Sequence, residues 1–254
     1  MISRYAVTLN GIALSELSAD ILILDVGYAQ PSYNDRSYSV AKRHGSRLID
    51  RKFNSAGVTV TFEIHAYDIR QRQAICNAVC AWAKNGGVLE TNDREGQYLQ
   101  CVCTGFPSVE SARNWTDPLT IEFSAYAIPF WQEKLPQTVA LTGTSQSGTL
   151  YVPGNVDDAL VEATIKANAS VSSVALTVNG RTLTLSGLSL STNGTITITY
   201  DTEGIQSIKQ GSTSILDKRT GVDDLLAKCG EINDVSITAS ASVTVTFSVR
   251  GYWL

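Results

Sequence analysis

The run Gly57-Val58-Thr59-Val60-Thr61-Phe62-Glu63-Ile64-His65-Ala66-Tyr67-Asp68 decides the fold of this chain. Val58, Val60, Phe62, Ile64 and Ala66 occupy every second position, and Thr59, Thr61, Glu63, His65 and Tyr67 fill the others. That is the period of a strand with one buried face. Asp68 then stands where a helix N-cap belongs, with Gln71 three residues on in the manner of a capping box. Ile75, Ala78, Val79 and Trp82 follow at helical spacing until Gly86-Gly87 ends the run, which predicts one helix over about residues 68–85. Alternation resumes at residues 98–104 and 119–127, with Pro107, Asn114, Asp117 and Pro118 supplying turn chemistry between them. The stretch 57–131 therefore reads as a β-α-β-β module without active-site chemistry, which points to assembly rather than catalysis.

Two features of this module are candidates for contact with a neighbour. The polar strand face Thr59, Thr61, Glu63 and His65 is either wet or pairs with a partner. Arg70 and Arg72 sit in the first helical turn, where they oppose the helix macrodipole at a cost of about 0.3 to 1 kcal/mol each when exposed. Two solvated arginines are the plain reading, and a feature that favours them at that place is the other.

The composition changes near Pro136. Before it lie three of the four tryptophans, four of the five cysteines, both histidines and most of the arginines; after it the chain is rich in Thr, Ser, Val, Gly and Asn. With 254 residues, this predicts an N-terminal β domain with one helix over 1–134 and a second domain over 135–254. From residue 138 onward, short alternating strands are separated by turn signals, the strongest being Asn179-Gly180 within 174–185. Residues 195–200 alternate again, 235–249 gives the last strand or strand pair, and 223–229 reads as a helical or turn segment. The second half is expected to be an antiparallel β-sandwich of jelly-roll or lectin type.

The net charge of −4 and the absence of a strongly basic half argue against nucleic-acid binding. The basic cluster Lys42, Arg43, His44, Arg47, Arg51 and Lys52 follows a polar, Tyr-rich run. It reads either as a solvated loop or as an arm that docks on an acidic neighbour. No apolar stretch is long enough to span a bilayer. Residues 1–5 do not open a signal peptide, so synthesis in a cytosol is expected.

Catalysis lacks its usual agents. The only histidines are His44, in the basic run, and His65, on a strand, so a nucleophilic triad has no obvious base. The pairs Asp157-Asp158 and Asp223-Asp224 do not form a calcium loop, and no phosphate-binding loop precedes the helix. Cys76, Cys80, Cys101 and Cys103 combine a C-x3-C with a C-x-C spacing that matches no zinc motif, and are expected to be reduced core residues. No catalytic, cofactor or metal residues are assigned.

The order of elements resembles the distal tail proteins (Dit) of long-tailed, non-contractile bacteriophages. The residues that carry the likeness are the Asn10-Gly11-Ile12 turn, the polar and basic excursion, the strand and helix ending in Trp82, Gly87-Val88-Leu89-Glu90, Gly96-Gln97-Tyr98 and the strand leading to Pro129-Phe130-Trp131. Tyr151-Val152-Pro153-Gly154-Asn155-Val156 and the closing Arg250-Gly251-Tyr252 continue it. The resemblance implies a virion protein, made in the host cytoplasm, whose N-terminal domains close into a homo-hexameric ring. Such a ring joins the tail tube protein to tail-tip or baseplate proteins, with galectin-like C-terminal domains projecting outward. On that basis the expected subunit contacts are the excursion with Lys42, Arg43, Arg47 and Arg51, wrapping a neighbour; the face Thr59, Thr61, Glu63 and His65, completing a sheet or lining the lumen; and Arg70 and Arg72, pairing with carboxylates across the ring. The alternative expectation is a carbohydrate-binding module that uses the C-terminal sandwich on a host-surface glycan.

Overall fold

The computed structural model describes residues 4–39, 46–107, 117–156, 158–201 and 203–254. The chain divides into two compact units, residues 1–131 with Leu254, and residues 132–253. Both are built from antiparallel sheets, and one α-helix occurs among the described residues.

In the first unit the strands are β1 (Val7–Leu9), β2 (Ile12–Ala13), β3 (Ile21–Ala29), β4 (Tyr33–Ser39), β5 (Ser46–Phe53) and β6 (Gly57–Ile64). After helix α1 (Ile69–Ala83) come β7 (Gly87–Thr91), β8 (Gln97–Gly105) and β9 (Leu119–Ala125). The main sheet runs β2-β1-β7-β8-β9-β6-β3. The alternation of β6 is realised as expected: Val58, Val60, Phe62 and Ile64 are buried, and the residues between them are half-buried. Full burial of such side chains contributes about 1.5 to 3 kcal/mol each. The sequence reading lacked β7, a five-residue strand that inserts between helix and β8. Position 87 has no room for a Cβ, because the Asn10 side chain occupies the space where one would stand. Asn10 itself adopts a left-handed φ of 52° and hydrogen-bonds both Val88 N and Gly86 O, each at 2.9 Å.

Helix α1 begins where Asp68 caps it, Oδ1 accepting from Gln71 N at 2.8 Å. Gln71 reaches back one residue further than a capping box requires, accepting from Tyr67 N at 3.2 Å. The helix buries Arg72, Ile75, Cys76, Val79 and Ala83. Ala78, expected on that face, is exposed, because the buried stripe passes through Cys76 instead. Trp82 stands edge-on to Phe123 of β9 with ring centroids 6.0 Å apart, and its Nε1 donates to Ile12 O at 3.1 Å.

The second unit follows β10 (Trp131–Glu133) and contains β11 (Gln137–Tyr151), β12 (Ala159–Ala167), β13 (Val171–Val178), β14 (Arg181–Leu190), β15 (Thr195–Tyr200) and β16 (Gln206–Gln210). It ends with β17 (Thr213–Ser214), β18 (Arg219–Gly221), β19 (Leu226–Ala227), β20 (Ile232–Val249) and β21 (Tyr252–Trp253). The β13–β14 hairpin turns at Asn179-Gly180, whose φ values of 49° and 77° are those the two-residue turn demands. β11 is far longer than the short strands expected, and β20 is one continuous strand that begins before the strand or strand pair expected over 235–249. β11 has 15 residues and β20 has 18, and they pair from Gln137↔Val249 to Tyr151↔Ile232 with a register shift between Gly143 and Ser145. On its other edge β20 pairs with β13 through its first half and with β12 through its second. One strand thus serves both layers of the sandwich. Residues 223–229, expected to be helical or a turn, form a bend followed by β19.

Two substitutions test this account by urea unfolding. Phe62→Ala, at a position with no solvent exposure, should destabilise the first unit by about 3 to 5 kcal/mol. Asp68→Ala should cost about 1 kcal/mol through loss of the cap.

Candidate assembly surfaces

Strand β6 cannot complete another chain's sheet. Both its edges are occupied, by β3 and by β9, so that part of the expectation for Thr59, Thr61, Glu63 and His65 is corrected. What these residues form is part of a broad polar sheet face. Thr59 is the register partner of Gly27 and Glu122, and Thr61 of Asp25 and Thr120. Farther along the sheet, Thr8 pairs with Glu90 and Val102 with Ser124. Asp25, Glu63, Glu90 and Glu122 make the face acidic. His65 Nε2 lies 3.0 Å from Glu63 Oε2, so these two predicted contact residues meet each other. Glu122 and Thr120 were missed as surface residues: their alternation was legible, but only the register places them beside Thr59 and Thr61.

The excursion is not a loop where it is described. β4 and β5 pair antiparallel from Tyr33↔Phe53 to Ser39↔Ser46, forming a two-stranded sheet of their own. Arg47 and Arg51 lie on β5 as register partners of Tyr38 and Asp35. Lys42 and Arg43 fall outside the described residues. The base of the ribbon is held by aromatic rings, Tyr33 on Phe53 at 4.5 Å and Phe53 edge-on to Phe130 at 5.1 Å.

The two helix arginines separate. Arg70 is exposed. Arg72 is only 3% exposed and donates from Nη2 to the carbonyl of Asp117 at 3.0 Å. The expectation that it faces a neighbouring subunit is corrected, because it packs inside its own unit. The sequence could not show this, since the residue that receives it is 45 positions away.

Arg94, not singled out by its sequence context, lies over two rings, 5.2 Å from the centroid of Tyr28 and 4.9 Å from that of Trp131. Burial draws its pKa below the ordinary value, with the neighbouring Tyr28 acting in the opposite direction. Such a stacked guanidinium favours a fixed position for both rings.

The cysteines are all free thiols. Cys76 and Cys80 of α1 both point their sulfur at the Pro107 carbonyl, at 3.6 and 4.0 Å. Burial, with Cys103 close by, pushes the Cys101 thiol up to about 12. Among the described residues no group of His, Cys, Asp or Glu is arranged to hold a metal ion. No helix among them is long and apolar enough to cross a membrane.

No protein-family model matches the chain, and no curated protein matches its sequence. Solved structures do match. The chain is similar to the crystal structure of SPP1 Dit (gp 19.1), described as a paradigm of the hub adsorption apparatus in phages infecting Gram-positive bacteria. The TM-score is 0.73 at 11% identity, over 97% of this chain and 98% of that one. Two structures of the phage P2 baseplate in its activated conformation, with Ca and with Sr, also match over nearly all of both chains. Their TM-scores are 0.45 each, at 8% and 9% identity, too low to carry an argument. The likeness to SPP1 Dit establishes a shared fold across both units.

The cysteine environment predicts a pH response. Below 9.0, the ordinary value, the Cys101 thiol is protonated whether the chain is folded or not. Between there and about 12 only the unfolded chain ionises, so stability falls as pH rises through that window. Cys101 should also resist iodoacetamide at about pH 8 until the chain is denatured, a result that peptide mass spectrometry reads directly.

Proposed function

We propose that the chain is a structural component of a phage tail, a hub whose first unit closes with five further copies into a ring. The observation that carries this reading is the shared fold with SPP1 Dit, which runs through both units in order and leaves almost none of either chain unmatched. In this reading the ring joins the tail tube protein on one side to a tail-tip or baseplate protein on the other.

A closed ring needs a heterologous contact, in which one surface of a subunit meets a different surface of the next. Two such surfaces are present in complementary chemistry. An isolated two-stranded ribbon is marginal in water, and β4–β5 is built as one, anchored at its base by Phe53 and Phe130. Its sequence carries Arg47 and Arg51, with Lys42 and Arg43 between the two strands. The acidic sheet face bearing Asp25, Glu63 and Glu122 suits a basic ribbon from the neighbouring subunit. Arg70, exposed at the start of α1, is available to a carboxylate across the same interface.

Light scattering behind size-exclusion chromatography should give the mass of a hexamer at low salt, and negative-stain images should show six-fold rings with a central hole. Monomers alone at high protein concentration and low salt would remove the ring reading. Replacing Arg43 and Arg47 with Glu should shift the population to monomers, as should raising salt to about 1 M, where the Debye length falls to about 3 Å. Rings that persist unchanged in the double variant would dispose of the ribbon contact while leaving the ring.

A further inference from the structure

One layer of the sandwich unit turns a hydroxyl-bearing face outward, and that face contains a groove of about 440 Å³. Register places Ser147 of β11 opposite Ser236 of β20, and Thr149 opposite Asp234. On the other side of β20, Thr177 of β13 is also the partner of Ser236. Side chains at every second position share a face, so three adjacent strands bring Ser147, Ser236 and Thr177 into one row, with Thr149 and Asp234 in the next. All five line the groove.

Two residues farther along the same two strands, on the same face, Tyr151 and Ile232 are register partners. They are 55% and 69% exposed. An aromatic ring and an aliphatic side chain thus flank the row that holds Asp234.

The groove is held in shape by a buried amide. Asn233 has no solvent exposure, and its Nδ2 donates to the carbonyls of Leu150, Lys228 and Glu231. Its Oδ1 accepts from Asn179 Nδ2 at 2.7 Å and from Lys228 N at 2.7 Å. Asn179 in turn accepts from Asp234 N at 3.1 Å, and its own N donates to Asp234 O at 2.9 Å. A buried amide satisfied on both its oxygen and its nitrogen, as Asn233 is, fixes one geometry. Here it ties the β13–β14 turn, the end of β11 and the start of β20 together around the carboxylate.

The chemistry selects a ligand class. A carboxylate accepts two hydroxyl donors, and Ser and Thr hydroxyls donate or accept as required. An exposed aromatic ring offers an apolar body for the C–H face of a sugar. None of the residues lining the groove is basic, so an anionic ligand would meet Asp234 uncompensated. We propose that this groove binds a neutral saccharide. Asp234 accepts from two adjacent sugar hydroxyls, Thr149, Thr177 and Ser236 complete the hydrogen bonds, and Tyr151 carries the ring. The assignment lies wholly within the second unit and does not rest on the ring reading.

Saturation-transfer difference NMR on the full chain tests it, because the sugar signal is read whatever the size of the assembly. The probes are the methyl glycosides of glucose, galactose, rhamnose and N-acetylglucosamine, with galacturonic acid as the charged control. At least one neutral glycoside should receive saturation on its C–H protons, with a dissociation constant on the order of millimolar. Asp234→Ala should weaken it by about tenfold or more, and Tyr151→Ala should reduce transfer to the sugar C–H protons. An oligosaccharide that binds more tightly than its own monomer would mark a surface polymer as the ligand; equal affinity would mark a free sugar. No transfer to any neutral probe at about 100 mM, a concentration well above millimolar constants, overturns the proposal. Binding unchanged in both variants, or galacturonate bound as tightly as galactoside, overturns it too. If Asp234→Ala does not fold, Asp234→Asn and Thr177→Val serve in its place, with the same loss expected. Light scattering on the same samples reports ring formation separately, so a blank sugar result and a failed ring are told apart.

Discussion

Hydrogen bonding on both edges of β6 is the constraint on which the first unit depends. A strand paired on each side cannot shift its register without losing two ladders at once, and a shift by one residue would turn Val58, Val60, Phe62 and Ile64 out to solvent. With β6 pinned between β3 and β9, the buried face is assigned to the helix side. The opposite face falls to Thr59, Thr61 and Glu63. The polar sheet face and the apolar floor beneath α1 are therefore two results of one alternation. The acidity of the first and the cysteine content of the second follow from which residues happen to share each side.

Local patterns were legible where a short segment dictates its own backbone. The β6 alternation, the Asp68 cap and the Asn179-Gly180 turn each depend on residues within a few positions, and each stands where the sequence placed it. What failed needed information from distant parts of the chain. Arg72 looks like a surface residue in a first turn until Asp117 closes over it. The polar run after Pro31 looks like a loop because its alternation lacks an apolar face, yet two polar strands can pair through backbone alone. β20 was read shorter than it is because its first residues, Ile232-Asn233-Asp234, look like a turn. The buried amide of Asn233 instead satisfies the surrounding backbone and lets the strand begin there.

The candidate surfaces were legible in the same uneven way. Thr59, Thr61, Glu63 and His65 were found because one strand displays them; Asp25, Glu90 and Glu122 were not, because a face that crosses several strands exists only once their register is known. The groove on the sandwich is the extreme case. Asp234, Thr149 and Thr177 lie on three strands separated by long stretches of sequence, and no motif connects them. A search for a compact signature would pass over all three.

The pairing of Gln137 with Val249 has a mechanical meaning. The chain enters β11 and leaves β20 at the same end of one antiparallel ladder, so a pull applied to those two points opens the ladder like a zipper, one hydrogen-bonded pair at a time. A load that slid the two strands past each other would instead have to break many pairs together. The sandwich is thus weak to tension led in through its own connections and strong to shear across its length. The tolerable direction of force is written into where this ladder begins.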